Sequence, residues 1–131
     1  MESNAKRFAR VLRLRPGARE AYERYHREIW PEIVDLIRSV GIRNYSVFHY
    51  RDWLFSYFEL PPGVELAEVS KALSHSEAAV KWESLMQELQ EPLPESGGAS
   101  WWVPMNELWH LDDRPDGRRT PDAESTTAAA K

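Results

Sequence analysis

Cysteine is absent from the whole chain, which excludes disulfide bridges, thiolate nucleophiles and cysteine-ligated zinc. Histidine is sparse. His26, His49, His75 and His110 are dispersed, no two have the His-Glu-x-x-His spacing of a helical zinc site, and His26-Arg27-Glu28 is not that motif. Glycine is also scarce, and Gly97-Gly98 stands alone without the further glycines of a phosphate-cradling loop. There is no Gly-x-Ser-x-Gly nucleophile elbow. No apolar run approaches the ~20 residues that span a bilayer, and Met1 to Arg7 is too polar for a secretory leader. A net charge of −4 leaves no basic footprint for nucleic acid. These absences lead to the expectation of a cytoplasmic domain with no membrane or nucleic-acid partner and no bound metal.

What is present is aromatic. Six Trp, five Tyr and four Phe occur in 131 residues, enough chain for one domain with its own core. Aromatic faces suit a core, an oligomer interface or the apolar face of a sugar ring, and composition does not separate these.

Arg7 to Arg15 alternates, with Phe8, Leu12 and Leu14 on one side and Ala9, Val11 and Arg13 on the other, and so reads as a strand ending at the turn Pro16-Gly17. Helical spacing then runs from Ala18 to Val40, interrupted by Pro31. Proline is tolerated in a first turn but not in a helix interior, which predicts a bend near Ile29–Trp30 and a fresh turn from Pro31. Gly41 follows as the stop. Ile42 to Tyr50 and Leu54 to Leu60 form a hairpin around Arg51-Asp52-Trp53. Tyr45, Val47 and His49 share one face of the first of these strands, opposite Ser46, Phe48 and Tyr50. Two helices are expected over Val64 to Leu73 and Ser76 to Gln90, with Ser74 or Ser76 as a cap. A Pro-Gly loop and a last strand over Ala99 to Leu111 close the domain. Residues 112–131 lose nearly all large apolar side chains and are expected to be a disordered tail behind a domain of residues 1–111.

The order strand, helix, strand, strand, helix, strand is the α+β ferredoxin-like βαββαβ pattern. Helices cover one face of such a sheet. An aromatic opposite face, carrying Tyr45, Val47 and His49 or their alternates, predicts a homodimer packed sheet to sheet.

The most chemically suggestive stretch is Tyr22 to Glu32. Positions four apart share a helix face, so Tyr22, His26 and Trp30 align. An imidazole between aromatic rings is either a proton-transfer group beside a ligand platform or one face of a packed core. Spacing leaves both readings open. His75 and His49 read as structural or solvent-facing, and Trp101, Trp102 and Trp109 as packing residues.

Several strings in order resemble the L-rhamnose mutarotase family: Lys6-Arg7-Phe8-Ala9, Leu14-Arg15-Pro16-Gly17, Tyr22-x-x-x-His26-x-x-Ile29-Trp30-Pro31-Glu32 and Gly41-Ile42-x-Asn44-Tyr45-Ser46. Leu54-Phe55-x-Tyr57-Phe58-Glu59, the segment Trp82 to Met86, and Asn106-Glu107-Leu108-Trp109-His110-Leu111 continue the likeness. The resemblance implies a dimeric α/β barrel that interconverts the α and β anomers of L-rhamnose or a related 6-deoxy-hexose without a cofactor. It also implies His26 as proton donor, with Tyr22, Tyr45 and Trp82 on the sugar. Glu83 stands where the family often has a second Trp, placing a carboxylate where an indole wall is usual, either as an acceptor for sugar hydroxyls or simply as a solvated helix charge. Two other readings are a cofactorless monooxygenase on the same barrel, which would bind a flat aromatic, and a non-catalytic carbohydrate-binding module.

Overall fold

The computed structural model describes residues 5–98 and 100–111. Strand β1, Lys6–Leu14, is the centre of the sheet. Its partners are β3 (Trp53–Leu60) on one edge and the two-residue strands β4 (Gln90–Glu91) and β5 (Val103–Pro104) on the other, all antiparallel. Strand β2, Arg43–Tyr50, pairs with β3 and gives the order β2-β3-β1-β4. Register aligns the faces: Phe8 is opposite Phe58, Arg10 opposite Ser56 and Leu12 opposite Leu54. Leu12, Leu14, Leu54 and Leu60 are wholly buried, so the even-numbered residues of β1 and β3 face the helices.

Helices α1 (Arg19–Arg27), α2 (Pro31–Ser39), α3 (Leu66–Ser74) and α4 (Glu77–Leu89) supply the other layer. The bend expected near Trp30 is a full break between two helices. Trp30 is the extended N-cap residue of α2 and Pro31 its first helical residue, where a missing N–H costs nothing. Ser76 caps α4, its hydroxyl accepting from the Ala79 amide at 3.1 Å. Gly41, at φ +101°, turns the chain from α2 into β2. The result is the ferredoxin-like α+β arrangement with each crossover divided into two helices.

Four expectations need correction. Trp53 belongs to β3 and not to the hairpin turn, because its backbone pairs with Tyr50 and Arg13. Helix α3 begins at Leu66, later than Val64, because Pro61-Pro62-Gly63 extends into a longer turn. The last strand is only Val103–Pro104. Pro104 has no amide to continue a ladder, and only the Met105 amide follows it onto Ala9, at 2.8 Å. Trp109, expected to pack, is 68% exposed. The tail beyond Leu111 lies outside the described residues.

Two apolar clusters fill the space between the layers. One gathers Leu12, Leu14, Tyr22, Leu54 and Met86; the other gathers Ile42, Phe58, Leu60 and Val69. An open cleft of about 1200 Å³ runs between sheet and helices and touches both. The outer sheet face carries the alternates: Phe48 and Tyr50 are 59% and 63% exposed beside half-buried Trp53, Phe55 and Tyr57.

Candidate active site

The cleft is built by the two features that break regularity in this fold, the gap between α1 and α2 and an irregularity in β2. At the first, α1 ends while its Tyr22–His26 face still points toward the sheet. The rings of Tyr22 and His26 lie 4.5 Å apart, as residues one turn apart on a helix must. Trp82 of α4 closes against them from the side. Its indole meets His26 edge-on at 5.7 Å, Trp30 at 5.0 Å and Tyr25 at 6.3 Å, so one side chain holds both sides of the break. At the second, the register of β2 slips between Arg43 and Ser46, with Asn44 at φ +51°. Tyr45, just after it, alternates with Val47 and His49 onto the inner face, 5.6 Å from the Phe58 ring.

All five residues singled out in the sequence, Tyr22, His26, Tyr45, Trp82 and Glu83, line this one cleft. Trp30 does not line it and serves as a packing residue at the break, against Trp82.

His26 is half-buried, and its Nδ1 lies 2.9 Å from the Tyr22 carbonyl. A carbonyl only accepts, so Nδ1 carries the hydrogen in the neutral and the protonated ring alike. Nε2 is left to exchange a proton with whatever occupies the cleft. Burial holds the imidazole below its ordinary pKa, partly offset by that hydrogen bond. The neutral ring is therefore favoured, and the protonated ring is a stronger acid than a free imidazolium.

Tyr22 is 4% exposed at the cleft floor, and its hydroxyl accepts from Gln90 Nε2 at 3.3 Å. Burial raises the phenol well above its usual range, so it works as a neutral hydrogen-bonding group. Glu83 is half-buried, with Gln87 Nε2 3.4 Å from its Oε2. Burial raises the Glu83 carboxyl, while the positive charge of Arg10 and the Gln87 bond oppose that rise. The cleft thus holds an imidazole, a carboxyl group, two phenols and an indole wall, a set suited to proton transfer on a hydroxyl-rich ligand.

Three contributors escaped the sequence reading. Gln90, on β4, is 1% exposed and tethers Tyr22, while its Oε1 has no partner among the described residues. Arg10 donates from Nη2 to the Tyr45 hydroxyl and from Nε to Ser56 Oγ, both at 3.0 Å. Trp102 lies with its ring 5.0 Å from the Arg10 guanidinium carbon. A signal for Arg10 and Ser56 was present: Ser56 is the one polar residue on its apolar face of β3, and Arg10 is the one on its face of β1 apart from Lys6 at the strand's start. His49 pairs with Glu23 at 2.6 Å at the cleft margin, in keeping with a structural role.

The family model for L-rhamnose mutarotase matches residues 7–111. The chain belongs to the L-rhamnose mutarotase family. It is 34% identical to the L-rhamnose mutarotase of Burkholderia ambifaria, over 77% of this chain and 93% of that one. It is 32% identical to the enzyme of that name from Clostridium beijerinckii, over 76% of this chain and 92% of that one. The crystal structure of an L-rhamnose mutarotase from Formosa agariphila superposes with a TM-score of 0.64 at 24% identity, covering 82% of this chain and 99% of that one, and shares its fold.

Proposed function

We propose that this protein is a cofactor-independent aldose mutarotase acting on L-rhamnose or a related 6-deoxy-hexose, with His26 as the proton donor. The observation that carries the reading is the convergence of Tyr22, His26, Tyr45, Trp82 and Glu83 on one cleft in a member of this family.

Mutarotation requires an acid at the ring oxygen, a base at the anomeric hydroxyl, and orientation. Imidazolium Nε2 of His26 gives its proton to the ring oxygen as the bond from that oxygen to the anomeric carbon breaks. The anomeric hydroxyl loses its proton into a relay, a bound water or a tyrosine hydroxyl that passes its own proton on as it accepts, and the open-chain aldehyde forms. Rotation of the aldehyde and return of both protons closes the ring with the opposite configuration. Tyr22 and Tyr45 supply hydroxyls to the sugar, Trp82 a flat face for its C–H bonds, and Glu83 an acceptor. Group types and contacts in the cleft support these roles. Family membership favours this reading over a monooxygenase or a binding module.

We also propose a cytoplasmic homodimer. The exposed Phe48 and Tyr50 beside Trp53, Phe55 and Tyr57 support sheet-to-sheet pairing, with Leu108, Trp109 and Leu111 as further apolar surface. No helix among the described residues is long and apolar enough to cross a membrane.

Saturation-transfer NMR between α and β anomer signals tests the activity. Exchange above buffer for a deoxy-aldose is expected, and His26→Gln should reduce it by ~10²–10⁴-fold, the usual yield of general acid–base catalysis. No acceleration for any aldose in a panel would sink the proposal.

A further inference from the structure

Beyond Lys6, whose ammonium reaches out to the Val64 carbonyl and Glu65 at the strand's start, β1 presents Phe8, Arg10, Leu12 and Leu14 to the helix layer, and β3 presents Leu54, Ser56, Phe58 and Leu60. Six of these eight positions are apolar. The two exceptions, Arg10 and Ser56, are direct cross-strand partners. A guanidinium on such a face is costly unless its donors are met, and here the partners are specific. Arg10 Nε donates to Ser56 Oγ at 3.0 Å, and Ser56 is 2% exposed. Arg10 Nη2 donates to the Tyr45 hydroxyl at 3.0 Å, and the guanidinium carbon lies 5.0 Å from the ring centres of both Phe58 and Trp102. Among the described residues no carboxylate stands within ion-pair distance of Arg10. The charge is therefore not spent on a salt bridge, and the group is held rigidly from one end by a buried hydroxyl.

The consequence for Tyr45 follows from the chemistry of arginine. A guanidinium has five donors and no acceptor, so the direction of the Arg10–Tyr45 bond is not open to choice. The Tyr45 oxygen accepts, so its own hydrogen must point away from Arg10, and the cleft that Tyr45 lines is open to it. A cationic donor on the phenol oxygen also strengthens that O–H as a donor.

We propose that Arg10, anchored by Ser56, is a positioning residue that commits the Tyr45 hydroxyl to donating a hydrogen bond to a sugar oxygen. The inference rests on Tyr45 being a sugar contact, as in the proposed function. It assigns polarity within that site: Tyr45 reads an oxygen acceptor on the sugar, and a sugar lacking oxygen at that place is bound more weakly.

The test uses L-rhamnose with the full chain, reading Kd by NMR titration and saturated exchange rate by saturation transfer in the same samples. Arg10→Met is expected to raise Kd about tenfold, in the range of a lost charge-assisted hydrogen bond, while the saturated rate changes less than about threefold. Arg10→Lys should not rescue, since a single ammonium cannot bridge Ser56 and Tyr45. Tyr45→Phe should raise Kd similarly, and adding Arg10→Met to it should cost nothing further. An unchanged Kd in Arg10→Met, or losses that simply add in the double variant, overturns the proposal. Should Arg10→Met fail to fold, Ser56→Ala replaces it: a raised Kd that vanishes in the Tyr45→Phe background supports the proposal, and an unchanged Kd overturns it. Wild-type binding without exchange sinks the mutarotase reading but leaves these comparisons valid. Absence of wild-type sugar binding overturns both.

Discussion

Replacing Trp82 tests whether one side chain holds the helix break and the site together. The indole contacts His26, Trp30 and Tyr25 edge-on at 5.7, 5.0 and 6.3 Å, and it packs on the cluster of Leu12, Leu14, Tyr22, Leu54 and Met86. Full burial makes Trp→Ala cost ~3–5 kcal/mol, and because Trp82 is only half-buried the lower end applies, about 3 kcal/mol. Trp82→Phe keeps an aromatic edge and much of the area, and each retained aromatic contact is worth ~0.5–1.5 kcal/mol, so its loss should be about 1 kcal/mol. Against a total of about 5–15 kcal/mol the alanine variant remains folded but has lost a large share of its margin. Urea unfolding followed by circular dichroism reads both. With a slope of ~1–3 kcal/mol per molar, the Ala midpoint should fall by about 1–3 M and the Phe midpoint by about a third of that. The exchange rate should fall with Ala beyond its effect on folding, because His26 loses the wall that fixes its ring. Equal losses for Ala and Phe, or an Ala loss below about 1 kcal/mol, would refute Trp82 as the anchor of the break.

Two further predictions follow from the same contacts. His26 has a folded-state pKa below its ordinary 6.5. Its contribution to stability is therefore full above about pH 6.5 and is lost as pH falls toward the lowered value, while the proton-donor form gains population over that range. Between about pH 8 and 6, kcat/KM for anomer exchange should rise on acidification; a fall would mean that neutral His26 acts as the base. Ser76→Ala removes the hydroxyl that accepts from the Ala79 amide and should cost about 1 kcal/mol in urea unfolding, with the exchange rate unchanged; a neutral effect would show that the cap is not made in solution.

Much of the fold was legible because it rests on local rules. Alternation in β1, β2 and β3 survives as the division between helix-facing and outer residues, and Pro31 and Gly41 stop their helices for stereochemical reasons. Pro31 did more than bend a helix. With Trp30 extended before it, the backbone has no continuous ladder across residues 28–30, and two helices result. Strand β4 escaped notice because two residues carry no periodicity. Gln90 is a strand residue only because β1 offers Leu14 beside it.

The site divides in the same way. Tyr22 and His26 share a face by helical spacing alone, a relation that any folding of α1 preserves, and family resemblance supplied Tyr45, Trp82 and Glu83. Arg10 was passed over because an arginine in a strand is ordinarily a solvated charge. Only the cross-strand register that sets it opposite Ser56 makes it an internal group. By itself the chain therefore determined its elements, their apolar faces and the aromatic-flanked histidine, since these depend on neighbours a few residues apart. The tertiary structure alone decided that the face of β2 carrying Tyr45 turns toward the helices and that Trp82 spans the helix break. It also decided that Arg10 points at Tyr45, because each of these contacts joins residues tens of positions apart whose approach is set by packing.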